Sequence, residues 1–328
     1  ADSILSVLKE IWSDSWGVRI ADVLNAALLT LVQVEGATLL WLPALLTDDA
    51  FRRRITSQLK DRVALRPFWE QFDALKDTER RLIIEPVLNK IRQFLLRQYL
   101  RGVLGQASPK FSLTDLFYKR RIVLVPLNKG IIGGESARLL GSLIVGMTWT
   151  LALSRAKIPP EKRHIVSVYI DELQDYLSLP TDLSDALAQA RGLGLGLTLA
   201  HQYRGQLPTG VCAGIDANAR NKIVFGLNAA DAKAMAAMAP ELSAEDFMLP
   251  RHHVYASFQA GGKNTGWIQG RTMPPLPVLR EASVVRARSA ALYGTPWEQV
   301  DQEYLSMLDG SPPEGAAGDA PIGRRKRS

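Results

Sequence analysis

The first third of the chain carries apolar residues at helical spacing. The apolar positions of VRIADVLNAALLTLV recur every three or four residues, as one face of a helix requires: Val18, Ala21, Leu24, Leu28 and Leu31. The same texture continues with amphipathic runs up to the segment before RIVLVPL. We therefore expect residues 1–118 to form a mostly helical region.

Two further helices in this region are indicated by the residues at their ends. LTDDAFRRRITSQL offers Thr47 or Asp48 as an N-cap before an amphipathic run. Pro86 suits the first position of a helix, and VLNKIRQFLLRQYLRGVLG continues from it to a stop at Gly105. The arginines at 52–54 form a like-charge run, which is either a solvated helix face or a surface that contacts cargo or partner proteins.

From residue 121 the pattern changes to short runs of β-branched and apolar residues. These runs are RIVLVPL, IVSVYI, GLGLTLA, NKIVFGL and HHVYASF. Segments of helical length separate the first four, with helices expected at 136–156 and 181–193 (with Thr181 or Asp182 as its cap), and a third helix is expected after the fourth run, at 229–239. That alternation predicts an α/β fold, with a parallel sheet covered on both faces.

The remaining boundaries follow from this change of pattern. The α/β core is expected over residues 119–280. After a Pro-rich exit, residues 281–328 are expected to hold one short helix, WEQVDQEYLSML, and a disordered basic tail ending in GRRKRS.

Composition narrows the classes of protein. Of the 328 residues, 47% are hydrophobic and 22% are charged, which is typical of a globular chain. The net charge of +7 favours a polyanionic partner, either nucleic acid or an anionic membrane surface. The single cysteine, Cys212, excludes an intrachain disulfide and fits a reducing compartment. The apolar stretch at 24–46 is interrupted by Gln33, Glu35 and Pro43, which favours a buried helix and turn over a membrane span.

Two adjacent carboxylates follow the IVSVYI strand. Asp171 and Glu172 stand at its carboxyl end, which is where α/β sheets bind their ligands. In nucleotide hydrolases, the first carboxylate of such a pair helps to hold Mg²⁺ and the second polarises the attacking water. The alternative is that Asp171 caps a following helix, LQDYL, and that Glu172 favours its first turn.

Polar residues also follow the next strands along the chain. His201 and Gln202 end the GLGLTLA strand, where a polar side chain can reach both a nucleotide's γ-phosphate and the catalytic water. His201 shares no metal-ligand spacing with the other histidines and is expected to be structural. Arg220 precedes NKIVFGL and is either a finger to a neighbouring subunit's nucleotide or a surface arginine in a salt bridge.

The ordered set of segments resembles a known family. YIDELQ, LAQARGLGLGLTLAHQ, NARNKIVFGLNAADAKAM and the strand before RTMPPLP follow one another as in the HerA/FtsK superfamily of P-loop translocase ATPases. The likeness is closest to the conjugative, TraG/TraD-like coupling ATPases of type IV secretion, and it spans residues 3–300. It implies the C-terminal part of a RecA-like P-loop NTPase core, with a large helical region before it.

The resemblance also implies roles for single residues. It places the magnesium ligand at Asp171, the residue that activates water at Glu172, and the nucleotide-sensing glutamine at Gln202. Its candidates for the arginine finger are Arg220 and Arg191, the latter in the ARGLG turn. The implied cofactors are ATP and Mg²⁺.

At the level of the whole protein, the resemblance implies a DNA-translocating motor of conjugative transfer. It implies a homohexamer that binds DNA and proteins of the conjugation or secretion machinery. Its expected location is the cytoplasm, at the inner face of the membrane, with membrane contact through partners or an upstream segment. The alternatives are a HerA-type DNA repair helicase or translocase, and a catalytically inactive scaffold that binds DNA or a partner.

One family motif is missing from the sequence. No G-x-x-x-x-G-K-[ST] string, whose amides and lysine cradle phosphates, occurs in the 328 residues. The Gly-rich loop at 127–140 has Glu135 where a lysine is needed, and GGKNTG at 261–266 opens no helix. Either the P-loop lies upstream, as the family order and the abrupt ADSIL start favour, or the chain is a degenerate paralogue. In both cases the isolated chain is expected to hydrolyse ATP poorly.

Overall fold

A computed structural model of the chain describes residues 1–13, 16–176 and 183–310, which form two compact units. The first unit comprises residues 1–112, 129–136 and the described residues from 283. The helices up to residue 133 are α1 (Asp2–Ile11), α2 (Val18–Val32), α3 (Leu42–Thr47), α4 (Asp49–Thr56), α5 (Leu65–Ala74), α6 (Asp77–Leu95), α7 (Gln98–Leu104), α8 (Asp115–Tyr118) and α9 (Lys129–Ile132). Those after it are α10 (Gly134–Ser154), α11 (Leu183–Ala190), α12 (Thr209–Asn218), α13 (Ala229–Ala236), α14 (Ala282–Tyr293) and α15 (Trp297–Leu308).

The first unit is helical, as the periodicity predicted. Helix α2 has the predicted bounds, and Asp48 caps α4 by accepting hydrogen bonds from the backbone N–H groups of Ala50 and Phe51. The prediction for Pro86 is wrong, because this residue lies inside α6 rather than at a helix start. The helix begins nine residues earlier at Asp77, where the side chain of Glu79 accepts from the backbone of Lys76.

Two long-range contacts hold the helices of this unit together. The indole Nε1 of Trp69 donates to the Thr30 hydroxyl at 2.8 Å, a buried bond between α5 and α2. The guanidinium of Arg101 in α7 binds both carboxylate oxygens of Asp301 in α15, at 3.0 and 2.8 Å. The predicted helix at WEQVDQEYLSML is present as α15, but the expectation of a single helix after residue 280 is wrong, because α14 precedes it. The tail beyond residue 310 lies outside the described residues.

The second unit, residues 113–128 and 137–282, contains a parallel pair of strands. Strands β1 (Val166–Ile170) and β2 (Leu195–Leu199) pair in register, from Val166 opposite Leu195 to Ile170 opposite Leu199. The helix between them, α11, is described from Leu183, so its predicted cap at Thr181 or Asp182 lies outside the described residues. A mixed α/β fold is therefore confirmed.

The predicted four-stranded parallel sheet is wrong in its other two members. NKIVFGL supplies β3 (Lys222–Val224), which pairs antiparallel with β4 (His253–Ala260), and β4 pairs antiparallel with β5 (Lys263–Arg271). Its apolar run is not buried on both faces, because Ile223 is 59% exposed. RIVLVPL forms no strand, and its Ile122 is 91% exposed. An unbroken apolar run was a poor guide to two-sided burial here.

Within residues 1–13, 16–176 and 183–310, one helix is long and apolar enough to cross a membrane by length and composition. It covers Gly134–Lys157, and more than half of its most apolar window is buried within the fold. A buried core helix has the same properties, and Trp149 and Ala152 of this helix pack with Val166 and Leu195 of the parallel strands.

Candidate functional site

The two adjacent carboxylates lie in a tight turn at the carboxyl end of β1. Asp171 is exposed, and one of its carboxylate oxygens accepts the backbone N–H of Glu172 at 3.0 Å. Glu172 adopts the left-handed conformation, with φ 53° and ψ 53°. Only one 3₁₀ turn, Leu173–Asp175, follows, and no side chain caps it. The alternative of a helix cap at Asp171 is therefore wrong, because Glu172 holds the N-cap position of this turn and the described residues that follow it, up to 176, form no α-helix.

Left-handed backbone is costly for a residue with a Cβ, so the surroundings must hold it in place. The N–H of Leu173 donates to the carbonyl of Ala200 at 2.9 Å, which continues the pairing of β1 and β2 beyond the strand ends. Leu173 is 1% exposed and packs with Leu183 and Leu207. The turn is thus anchored by a buried side chain, while Asp171 is exposed and Glu172 is half-buried.

Gln202 meets Glu172 across the two strand ends. The Gln202 side-chain amide donates to Oε1 of Glu172 at 2.6 Å. A second amide, from Gln174, donates to Oε2 of the same carboxylate. Asp171, Glu172 and Gln202 therefore share one edge of the parallel pair, as the sequence predicted. Gln174 was missed, although the DELQ string places an amide two residues after the glutamate.

The far side of the turn packs on α10 through Tyr176. The ring of this buried residue lies against Gly141, where a Cβ atom would come within 2.2 Å of Tyr176 Cδ1 and 2.9 Å of Leu127 Cδ1. A glycine is therefore needed at this point of the helix for the turn to close down on it.

Replacing Gly141 with Ala is expected to destabilise the protein by about 1–3 kcal/mol, because the added methyl must displace a buried ring. Gly134→Ala, at the start of the same helix with open space around it, is the matched control and should change stability little. Thermal unfolding followed by circular dichroism measures both. Equal melting temperatures for the two variants would contradict the close packing at Gly141.

The loop that carries Gln202 is stabilised by hydrogen bonds to the side chain of Gln206 and by an ion pair with α12. The Gln206 side-chain oxygen accepts the backbone N–H groups of Gln202 and Tyr203, both at 3.1 Å. Arg204 forms a two-point ion pair with Asp216 of α12, at 2.9 and 2.6 Å. This pairing raises the pKa of Arg204 above its ordinary value. The loop is therefore fixed to the helix that leads towards β3.

The same network reaches α13 and the start of β3. Asp231 accepts from the backbone N–H of Arg204 at 3.2 Å and from the Asn228 side chain at 3.0 Å. The Lys222 ammonium donates to the carbonyls of Ala219 and Asp216, at 2.7 and 3.3 Å. Burial lowers the pKa of Lys222 below its ordinary value. The segment between Ala219 and Lys222, which contains Arg220, is thus tied to the Gln202 loop through Asp216 of α12, whose carboxylate binds Arg204 and whose carbonyl accepts from Lys222.

The two candidate arginine fingers are both exposed, and no hydrogen bond or ion pair between described residues joins them to the carboxylates. Arg220 is exposed immediately before β3, and no ion pair between described residues includes it, so the salt-bridge alternative gains no support. Arg191 is exposed in the turn between α11 and β2. It therefore lies at the amino end of β2, whereas Gln202 follows the carboxyl end. The structure brings neither arginine to Glu172 of the same chain.

Neither glycine-rich loop forms a phosphate cradle. In the loop at 127–140, the Tyr99 hydroxyl donates to the carbonyl of Ile132 at 2.6 Å, and Glu135 lies in the first turn of α10. GGKNTG at 261–266 is the turn and first residues of the β4–β5 hairpin. The first segment therefore leads into α10, and the second connects β4 to β5.

Glu172 and Gln202 are of the residue types that could position an attacking water next to a nucleotide, and Asp171 could supply one ligand to a magnesium ion. Among the described residues, no three His, Cys, Asp or Glu side chains come together as a metal site. Magnesium bound to a nucleotide takes one or two carboxylates, and its remaining ligands are phosphates and water. Exposed Asp171 suits that arrangement.

Comparisons with known proteins give a consistent result at the level of structure. No protein-family model matches the sequence, and no curated protein matches it. An unbound form of the bacterial conjugative coupling protein TrwB superposes with a TM-score of 0.54 at 20% identity, over 86% of this chain and 69% of that chain. The plasmid coupling protein TrwB in complex with a non-hydrolysable GTP analogue gives 0.55 at 19% identity, with the same coverage. The predicted resemblance is confirmed in the fold: this chain has the fold of the conjugative coupling protein TrwB.

Proposed function

We propose that the chain is part of an ATP-driven motor that moves DNA during conjugative transfer. The observation that carries this proposal is the hydrogen bond between Glu172 and Gln202 across the carboxyl ends of β1 and β2. A carboxylate that activates water and an amide that senses the γ-phosphate need this proximity. The likeness to TrwB, one form of which binds a GTP analogue, supports a nucleotide as the ligand.

The proposed chemistry is hydrolysis of ATP at the γ-phosphate. The oxygen of a water molecule bonds to the γ-phosphorus, the bond to the ADP oxygen breaks, and the water's proton passes to the Glu172 carboxylate. Gln202 orients the water and contacts the phosphate. Asp171 would hold Mg²⁺, which supplies positive charge against the phosphates.

The phosphate-binding half of this site is proposed to come from a P-loop upstream of Ala1. The sequence has no P-loop string, and each of its glycine-rich loops has a structural role. Arg220 and Arg191 are proposed as fingers that act on the nucleotide of a neighbouring subunit in a hexameric ring. An arginine acting between subunits need not approach Glu172 of its own chain, which agrees with the exposed positions of both.

The proposed partners are DNA and proteins of the transfer machinery, at the cytoplasmic face of the inner membrane. The excess of basic residues, +7 in total, is compatible with DNA. A repair translocase of the HerA type would use the same site residues. The second candidate is an inactive scaffold that binds DNA or a partner protein, and it applies if the complete reading frame also lacks a P-loop string.

The test is ATP hydrolysis by the protein translated from the complete reading frame. If that frame encodes a G-x-x-x-x-G-K-[ST] loop before Ala1, we expect Mg²⁺-dependent hydrolysis that DNA stimulates. The chain of 328 residues alone is the control and should show little activity. A complete frame without such a loop, or purified protein without activity in the presence of DNA, would favour the scaffold and overturn the motor.

A further inference from the structure

We propose that Gln174 is a positioning residue for the water-activating carboxylate, and that it forms the permanent half of an amide clamp on Glu172. This inference rests on the proposed function. Gln202 forms the other half of the clamp. Together the two amides occupy Oε2 and Oε1 of one carboxylate.

The two halves of the clamp differ in where they are attached. Gln174 lies two residues after Glu172, in the same 3₁₀ turn, and the turn is fixed by buried Leu173 and Tyr176. Gln202 belongs to a different strand end, and its side chain is exposed. The Gln174 contact therefore moves with Glu172 as one body, whereas the Gln202 contact can be broken without disturbing the turn.

The unpaired oxygen of the Gln174 amide indicates that the residue is present for the hydrogen bond that its nitrogen donates, rather than for the packing of its side chain. Its Oε1 atom is buried and has no hydrogen-bond partner among the described residues. Leaving a buried acceptor unpaired costs about 1–3 kcal/mol, and an apolar side chain of similar length would avoid that cost. Burying this amide therefore destabilises the folded state, and we explain its presence by the hydrogen bond that it donates to Glu172.

This geometry assigns an order of events to the site. Without nucleotide, both amides hold the carboxylate. When a γ-phosphate arrives, the Gln202 amide turns from Oε1 of Glu172 to the phosphate, and Glu172 accepts a proton from water. Gln174 remains bound to Oε2 and keeps the carboxylate in its orientation. Nucleotide binding is thereby coupled, through Gln202, to the activation of Glu172 as a base.

The test replaces Gln174 with Met, which keeps the length of the side chain and removes both polar atoms. In the complete protein we expect kcat for ATP to fall on the order of 10- to 100-fold, as misaligned catalytic groups do, with KM changed less than about twofold. The melting temperature should stay near that of wild type, because the unpaired oxygen is removed as well. Gln174→Lys keeps both reach and a donor, and it should recover most of the lost kcat.

Gln189→Ala, an exposed glutamine of α11, controls for loss of an amide elsewhere and should keep wild-type kinetics. The proposal is overturned if Gln174→Met keeps wild-type kcat, or raises KM alone. It is also overturned if kcat and the melting temperature fall together and Lys does not rescue them, since that indicates a purely structural role. Glu172→Gln is assayed in parallel: if it retains turnover, the proposed function fails, whatever Gln174 does.

Discussion

Changing Glu172 to Gln in the complete protein should leave ATP binding intact and reduce turnover on the order of 10²- to 10⁴-fold, the contribution of a positioned general base. The substitution keeps the shape of the side chain but removes the group that accepts the water's proton. Binding is spared because the proposed contacts to the nucleotide and its Mg²⁺ come from Asp171, Gln202 and the phosphate loop, and none comes from Glu172. Single-turnover hydrolysis and equilibrium binding of a labelled nucleotide separate the two effects.

The matched control is Glu161→Gln, at an exposed glutamate of the short turn before β1. It removes the same charge from the same unit and should hydrolyse ATP as wild type does. Turnover by Glu172→Gln within a few-fold of wild type would remove this residue from the chemistry. Loss of nucleotide binding together with turnover would instead make Glu172 part of the binding site.

The site was predictable from the sequence because its residues follow directly from strand ends. Parallel pairing of IVSVYI with GLGLTLA was enough to bring Glu172 to Gln202, since carboxyl ends of parallel strands lie at one edge. Gln174 was not predictable in the same way, because its contact depends on the left-handed backbone of Glu172. Such a conformation is set by the packing of Leu173 and Tyr176 rather than by local sequence preference.

The fold could be predicted where the apolar periodicity is strong. The prediction was wrong where it depended on a single residue or on one short apolar run. Helix α2 followed its apolar spacing, but Pro86 did not start a helix, since the acidic turn at Asp77 and Glu79 already provides a start for α6. NKIVFGL was assigned to the parallel sheet for its apolar character. Its real partner, β4, follows about 30 residues later along the chain, and nothing within NKIVFGL encodes that choice.

The run of three arginines at 52–54 shows the same limit for charges. Sequence alone makes such a run a solvated face or a contact surface, yet Arg52 is fully buried. Its Nε donates to Asp73 at 2.7 Å, and its Nη1 to the carbonyls of Leu45 and Leu46 at 3.3 and 3.4 Å. Arg54 donates to the carbonyl of Met307 in α15. Only the fold reveals which arginine of the three faces inward.

Replacing Arg52 with Met is therefore expected to lower the free energy of unfolding of the helical unit by about 2–4 kcal/mol. A similar volume is kept, but two buried carbonyls lose their donor, Asp73 loses its cation, and Asp49 keeps only its pairing with Arg80. The ring of Phe72, 5.1 Å from the guanidinium carbon, loses a cation contact as well. Thermal melts followed by near-ultraviolet circular dichroism, with Trp69 in the same cluster as reporter, measure the change. Arg53→Met, at the exposed neighbour, should shift stability by no more than about 0.5 kcal/mol.

The difference in the free energy of unfolding between wild type and Arg52→Met should depend on pH, and this dependence measures the contribution of the ion pair with Asp49. The hydrogen bond from Arg52 is the main cause that lowers the pKa of Asp49 below its ordinary value of 3.8. A carboxyl group whose pKa is lower in the folded state adds stability above its unfolded pKa, and that stability disappears as the pH falls through the folded value. The gap between wild type and Arg52→Met should thus be constant from pH 7 to about 5 and narrow below about pH 4. A gap that stays the same down to pH 3 would assign the whole effect to the carbonyls and to packing, and would remove Asp49 from the interaction.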